Sequence, residues 1–151
     1  MHATAIALAA VSIPLFVIDI REHRLPNRWT GALAIGGLLI NGARAVSDGA
    51  LRPIAASLAA GGLGLLAMGL LHLVTRAGIG LGDVKLVSAL GFLFANQMAL
   101  AFVVCVAFLS AALWVLPQLA VGRYRRGSRL AFGPFILIGA WSAIALACPD
   151  G

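Results

Sequence analysis

Long apolar runs, separated only by short polar segments, limit this chain to very few folds. Several runs contain about 20 successive, mostly apolar residues, which is the length that an α-helix needs to cross the ~30 Å hydrocarbon core of a bilayer. Only 11% of the residues are charged, whereas a soluble domain carries about 25%. Too few charges are available to cover a water-soluble globule, so the sequence predicts an integral membrane protein.

Six apolar segments are predicted to form transmembrane helices, so the expected fold is an all-α, polytopic membrane protein. The fourth segment is the shortest: a helix of that length extends only roughly 18 Å, so we expect it to be set back from the membrane surface. We expect Pro117 to close the fifth segment, and a single membrane-embedded domain over residues 1–151, without a separate soluble domain. The six segments are 3–20, 29–46, 53–74, 84–95, 98–116 and 130–148.

The basic residues indicate the orientation of these segments. If successive segments alternate in direction, nine of the 11 Lys and Arg residues fall on one side of the membrane. That side is cytoplasmic by the positive-inside rule, so both termini are expected on the other side. The same bias accounts for the net charge of +6 without nucleic acid, which is not an expected partner. The nine residues are Arg21, Arg24, Arg28, Arg76, Lys85, Arg123, Arg125, Arg126 and Arg129.

Two other features of the sequence carry structural expectations. The first four residues lack Lys and Arg, so the first apolar segment is expected to be retained rather than removed as a signal peptide. Cys105 and Cys148 lie in apolar segments without a CxxC pair or a nearby histidine. They are expected to be small core residues, and neither a zinc site nor a disulfide is predicted.

Two aspartates lie at the edges of apolar segments. Asp19 ends the first segment, and Asp83 follows the glycine-rich stretch 78–82. By the alternation above, both lie at the cytoplasmic edge of the membrane. A carboxylate at such a depth is costly, so a functional role is the default hypothesis. The glycines are expected to allow unusual backbone angles and the close approach of another segment.

Two neighbouring carboxylates can activate water for hydrolysis, because one stays protonated and acts as an acid while the other acts as a base. From the residues alone, other roles are equally open: each aspartate can cap a helix, pair with Arg21 or Lys85, or serve an ion or proton pathway. A Ser–Lys pair formed by Ser88 and Lys85 is a weaker candidate. It would leave Asp19 unexplained.

Three motifs, in order along the chain, resemble those of the type IV prepilin peptidases, which are GxGD-type intramembrane aspartyl proteases. Residues 19–27 resemble the pattern D-x-R-x-x-x-I-P-N, and residues 80–86 resemble G-x-G-D-x-K-L. Residues 131–135 resemble an F-G-P-F stretch in the last helix of the family. The first and third motifs favour this family over presenilin-like GxGD proteases, and the resemblance covers most of the chain.

The resemblance implies that Asp19 and Asp83 are the catalytic pair and that no metal or other cofactor is required. It implies a multi-pass protein of the bacterial inner membrane that cuts a pilin-like precursor after a glycine, on the cytoplasmic side, and so removes a short basic leader. The partners are thus this precursor and the lipid bilayer, and the oligomeric state is not predicted. Substrate-binding or supporting roles fall on Gly80, Gly82, Lys85, Asn27 and Pro134.

Several alternatives remain open. Lys85 can be an interfacial anchor, Asn27 with Pro26 an N-cap and turn, and Pro134 a first-turn residue of the sixth helix. The connection between the first two segments has about eight residues and no cysteine, as in the short branch that serves tight-adherence (Flp) pili, so N-methylation is not predicted. The alternative of another class is a small transporter or proton-conducting subunit that uses the same acids.

Overall fold

The computed structural model of the chain describes residues 2–22, 27–75, 79–121 and 131–147, except for the side chains of residues 20–22. This part of the chain is helical, which confirms the all-α fold class. Three of its helices contain stretches that are long and apolar enough to cross a membrane, namely His2–Asp19, Arg52–Val74 and Gln97–Ala120. The helices in the described ranges are α1 (His2–Glu22), α2 (Asn27–Asp48), α3 (Arg52–Val74), α4 (Leu81–Phe94), α5 (Gln97–Ala120) and α6 (Gly133–Ala147).

Some expected features fall on residues outside these ranges, and two others are corrected. Cys148, Pro26, Gly78 and most of the predicted cytoplasmic arginines lie outside the described residues. Pro117 does not close α5 but lies inside it. A proline removes only one hydrogen bond of the helix, and the Pro117 carbonyl still accepts the Val121 N–H at 3.1 Å. Cys105 is exposed rather than buried. In a membrane helix the outward face is also apolar, so apolarity alone does not identify the core.

Helix α4 lies at the centre of the bundle and packs against α2, α3, α5 and α6. Almost every residue from Asp83 to Leu93 is buried. Glycines lie where α4 crosses its neighbouring helices, because small residues let helix backbones approach closely. A Cβ atom added at Gly37 would lie 2.6 Å from the Leu93 nitrogen, and one added at Gly91 would lie 2.5 Å from the Ala60 carbonyl oxygen. The position of α4 is therefore fixed by backbone contact with its neighbours.

The C-terminal end of α4 is capped by side chains from two other helices. With 14 residues, α4 extends roughly 21 Å, which agrees with the expected short helix. It stops where Ala95 takes a left-handed conformation (φ 51°). The Asn41 amide donates to the Phe92 carbonyl at 2.9 Å, and the Ser57 hydroxyl donates to the same oxygen at 2.6 Å. These bonds satisfy a carbonyl that the end of a helix would otherwise leave unpaired inside the bundle.

Replacing Asn41 with Leu is expected to destabilise the protein by about 1–3 kcal/mol, because buried polar groups lose their partner. Phe92 would lose one donor, and Arg44, whose guanidinium donates to the Asn41 amide oxygen at 3.1 Å, would lose an acceptor. Equilibrium unfolding in mixed micelles measures the change. Ser110→Ala is the control, since that hydroxyl bonds only to carbonyls of its own helix. Equal stability of the Asn41→Leu and Ser110→Ala variants would contradict the capping role.

Candidate active site

Asp83 lies in the first turn of α4 and is almost completely buried. Gly80 precedes this turn with an extended backbone (φ −67°, ψ 141°), and its carbonyl accepts the Asp83 N–H at 3.1 Å. Among the described glycines only Gly49 has a positive φ, so the expected unusual backbone angles are absent at Gly80 and Gly82. Close approach is what Gly80 provides: a Cβ atom there would lie 3.2 Å from the Asp83 Oδ2 atom.

Asp19 lies near the C-terminal end of α1, is also almost completely buried, and contacts the start of α6. Its Oδ2 atom accepts the backbone N–H of Gly133 at 3.1 Å. Pro134, the next residue, has no N–H to satisfy, and the Phe135 N–H bonds to the Phe132 carbonyl at 3.1 Å. The Gly133 N–H, at the start of α6, is therefore the backbone donor that bonds to the Asp19 carboxylate. Pro134 takes the first-turn position that the sequence allowed.

The two aspartates lie at the same end of the bundle and interact electrostatically. They come from different helices, α1 and α4, and each is next to a helix N-terminus: Asp83 is within the first turn of α4, and Asp19 accepts a hydrogen bond from α6. The positive ends of both helix dipoles therefore favour a negative charge on the pair. A buried carboxylate pair of this kind can hold a single proton between its members and activate a water molecule.

Lys85 and Ser88 do not form the Ser–Lys pair considered from the sequence. The Lys85 ammonium donates to the Asn27 side-chain oxygen at 2.9 Å, and so connects the first turn of α4 to the start of α2. The Ser88 hydroxyl is buried and donates to the Gly61 carbonyl at 2.9 Å. Each group has a separate partner, so the geometry disfavours Ser88 as a nucleophile. Asn27 is the first residue of α2, and its side-chain oxygen accepts the hydrogen bond from Lys85.

His72 is a residue beside the site that the sequence reasoning missed. It lies near the end of α3, and its Nδ1 atom is 2.6 Å from the Ile79 carbonyl oxygen, next to Gly80. The bond connects α3 to the turn that carries Asp83. One signal was available in the sequence, because His72 is the only histidine within the six predicted apolar segments.

The fold and the site together define a helical membrane protein that has two buried, interacting aspartates at one end of its bundle. Comparison with known families narrows this class. The sequence profile of the type IV leader peptidase family matches residues 6–116, which is most of the chain. The protein belongs to this family, and the resemblance inferred from its motifs is confirmed.

Individual relatives agree with this assignment. The chain is 29% identical over 145 residues to the prepilin leader peptidase/N-methyltransferase of Aeromonas salmonicida (strain A449). It is 30% identical over 143 residues to the protein of the same name from Aeromonas hydrophila. Each alignment covers 93% of this chain and 48% of the relative, so the chain spans about half the length of the curated relatives it matches. No solved structure matches the chain.

Proposed function

We propose that this protein is an intramembrane aspartyl endopeptidase that removes the short basic leader from pilin-like precursors. Membership of the type IV leader peptidase family supports the substrate class. The observation that carries the proposal is the aspartate pair: Asp19 and Asp83 are buried, come from different helices and interact at one end of the bundle. Hydrolysis by such a pair needs neither a metal ion nor another cofactor.

In the proposed reaction the two carboxyls share one proton and hold a water molecule. The ionised carboxylate takes a proton from the water as its oxygen attacks the carbonyl carbon of the scissile bond. The protonated carboxyl donates its proton to the carbonyl oxygen, which gives a tetrahedral intermediate. The C–N bond then breaks as one carboxyl of the pair gives its proton to the nitrogen of the new N-terminus, while the other carboxylate takes the proton of one hydroxyl of the intermediate. The leader leaves as a carboxylic acid, and the pair again holds a single proton. The Gly133 N–H holds the Asp19 carboxylate in place.

We further propose that all six helices cross or enter the bacterial inner membrane as a single domain, with the aspartate pair near the cytoplasmic face. The support is the excess of Lys and Arg on that side of the alternating segments. A basic leader would remain in the cytoplasm while the apolar helix of the precursor lies in the bilayer. The short connection between α1 and α2 supports a substrate from a tight-adherence (Flp) pilus, and N-methylation is not part of the proposal.

The proposal is tested by cleavage in liposomes, using the purified protein and the pilin precursor encoded nearest its gene. We expect one cut after a glycine, identified by the N-terminal sequence of the product, and unchanged activity in EDTA. If a verified precursor stays intact, the proposed peptidase activity is refuted. Gradient-dependent ion flux in the same vesicles would then favour the alternative function, a small transporter that uses the same two aspartates.

His72 is expected to act as a positioning residue in this reaction. Loss of its bond to the Ile79 carbonyl would free the turn that places Asp83, and a displacement of about 1 Å can cost roughly 10²-fold in rate. We therefore expect His72→Leu to lower kcat by roughly 10- to 100-fold with little change in KM.

His72→Asn is the matched variant, because the Asn amide nitrogen occupies nearly the same place as the Nδ1 atom and can donate the same hydrogen bond. It is expected to restore most of the activity lost in His72→Leu. Steady-state kinetics in detergent on both variants, with circular dichroism to confirm folding, checks this. Equal activity of the Leu variant and the wild type would show that the bond has no positioning role.

A further inference from the structure

An apolar groove lies between α1 and α6, beside the aspartate pair. Its volume is about 540 Å³, within the ~300–1,000 Å³ range of ligand clefts. Ile13 and Phe16 form one wall, and Ile138 and Trp141 form the other. All four side chains are at least 40% exposed, so they are free to contact an apolar partner from the bilayer side.

Hydrogen bonds fix the walls of this groove at both ends. At the end near the site, the Gly133 N–H donates to the Asp19 carboxylate at 3.1 Å. At the other end, the Trp141 indole N–H donates to the Ser12 hydroxyl at 3.2 Å. Ser12 and Asp19 are roughly 10 Å apart along α1, at 1.5 Å per residue. The groove is therefore preformed, and its length matches about two turns of a helix lying alongside.

The groove is also continuous with the candidate active site. Phe16 in its wall lies three residues before Asp19, which places the two side chains on neighbouring turns of the same face of α1. Pro134 follows Gly133, the hydrogen-bond donor to Asp19. A second cleft between α2, α3 and α4 is smaller, about 310 Å³, and its lining includes Lys85 and Asn27, which are hydrogen-bonded to each other. An apolar helix would have to desolvate those polar groups, whereas the described lining of the α1/α6 groove carries no charged side chain.

We propose that the α1/α6 groove binds the apolar helix of the precursor, over the two turns that follow the scissile bond. This rests on the proposed peptidase function and adds the surface that recognises the substrate. Bound there, the helix begins at the aspartate pair, so the groove sets which peptide bond reaches the two carboxyls. Contacts within the bilayer then select a helix that follows the leader, in addition to any recognition of the leader itself.

Disulfide crosslinking in liposomes tests this placement. In a background with Cys105→Ser and Cys148→Ser, single cysteines are introduced as Ile13→Cys or Ile138→Cys, and the precursor carries one cysteine within two turns after its cleavage site. We expect oxidation to give enzyme–precursor adducts at both positions, in several-fold higher yield than at Leu66→Cys. Leu66 is the matched control, since it is 73% exposed on α3 and does not line the groove.

A kinetic measurement supplements the crosslinks. Ile138→Trp adds bulk to the groove, so it is expected to raise KM for the full precursor several-fold more than KM for a leader peptide that lacks the apolar helix. Leu66→Trp is expected to change neither. Adducts mainly at Ala34→Cys in the second cleft, adducts between two copies of the enzyme, or equal yields at Ile138 and Leu66 would each overturn the proposed groove while precursor cleavage persists. Absence of cleavage by the cysteine-free enzyme would instead refute the peptidase function, and this inference with it.

Discussion

Changing either Asp19 or Asp83 to Asn is expected to lower kcat for precursor cleavage by roughly 10³-fold or more, because in the proposed reaction each carboxyl has a proton-transfer role that an amide cannot take. KM should change little, since the substrate contacts remain. In the proposed reaction the two carboxyls act as a unit, so the double variant should be no slower than either single variant. The wild-type rate should fall at both low and high pH, because the proposed reaction requires a single proton on the pair.

The structure makes these variants informative about chemistry rather than folding. An Asn at position 19 keeps a side-chain oxygen that can accept the Gly133 N–H, so the start of α6 stays capped. Asp48→Asn is the matched control, because Asp48 is exposed at the end of α2. Thermal unfolding verifies that all variants are folded. Cleavage that persists in both Asp19→Asn and Asp83→Asn would end the dyad mechanism.

A large effect on stability is expected at Gly37, where α2 crosses α4. A Cβ atom there would lie 2.6 Å from the Leu93 nitrogen and 2.7 Å from its Cα atom. Neither is the end of a flexible side chain, so the helices must separate. Gly37→Ala is therefore expected to destabilise the protein by about 1–3 kcal/mol, the usual cost of overpacking.

The adjacent Gly36 provides a control with the opposite expected sign. Nothing lies within 4 Å of a Cβ atom added there, and Ala is a better helix former than Gly by about 1 kcal/mol. Gly36→Ala should thus be neutral or stabilising. Unfolding in mixed micelles separates the two variants, and similar stabilities for both would contradict the close crossing of α2 and α4.

The sequence predicted the helical segments well, because each one is an apolar run long enough to read without its neighbours. The ends of the runs were less certain. Asp83 precedes the predicted fourth run but lies inside the first turn of α4, since a carboxylate is compatible with a helix N-terminus. The sequence pattern predicts that the fifth helix ends at Pro117, but a proline near the end of a helix removes only one hydrogen bond, and α5 continues past it.

The candidate site was predictable only in part. Asp19 and Asp83 stood out because acids are rare and costly in apolar segments. The bond from His72 to the Ile79 carbonyl and that from Asn41 to the Phe92 carbonyl join different helices. Such pairs depend on how the helices are rotated and packed, which the apolar pattern of one segment does not encode when both of its faces are apolar. The α1/α6 groove was not foreseen for the same reason.

The cap at the end of α4 makes that helix a spacer of fixed length. Asn41 and Ser57 donate to the Phe92 carbonyl at one end, and Asp83 interacts electrostatically with Asp19 at the other. One inserted residue between these points would turn Asp83 by about 100° and move it by about 1.5 Å. The distance from the cap to the aspartate pair is therefore set by contacts inside the protein. If the pair lies in the membrane as proposed, bilayers of different thickness should not change its position relative to the rest of the bundle.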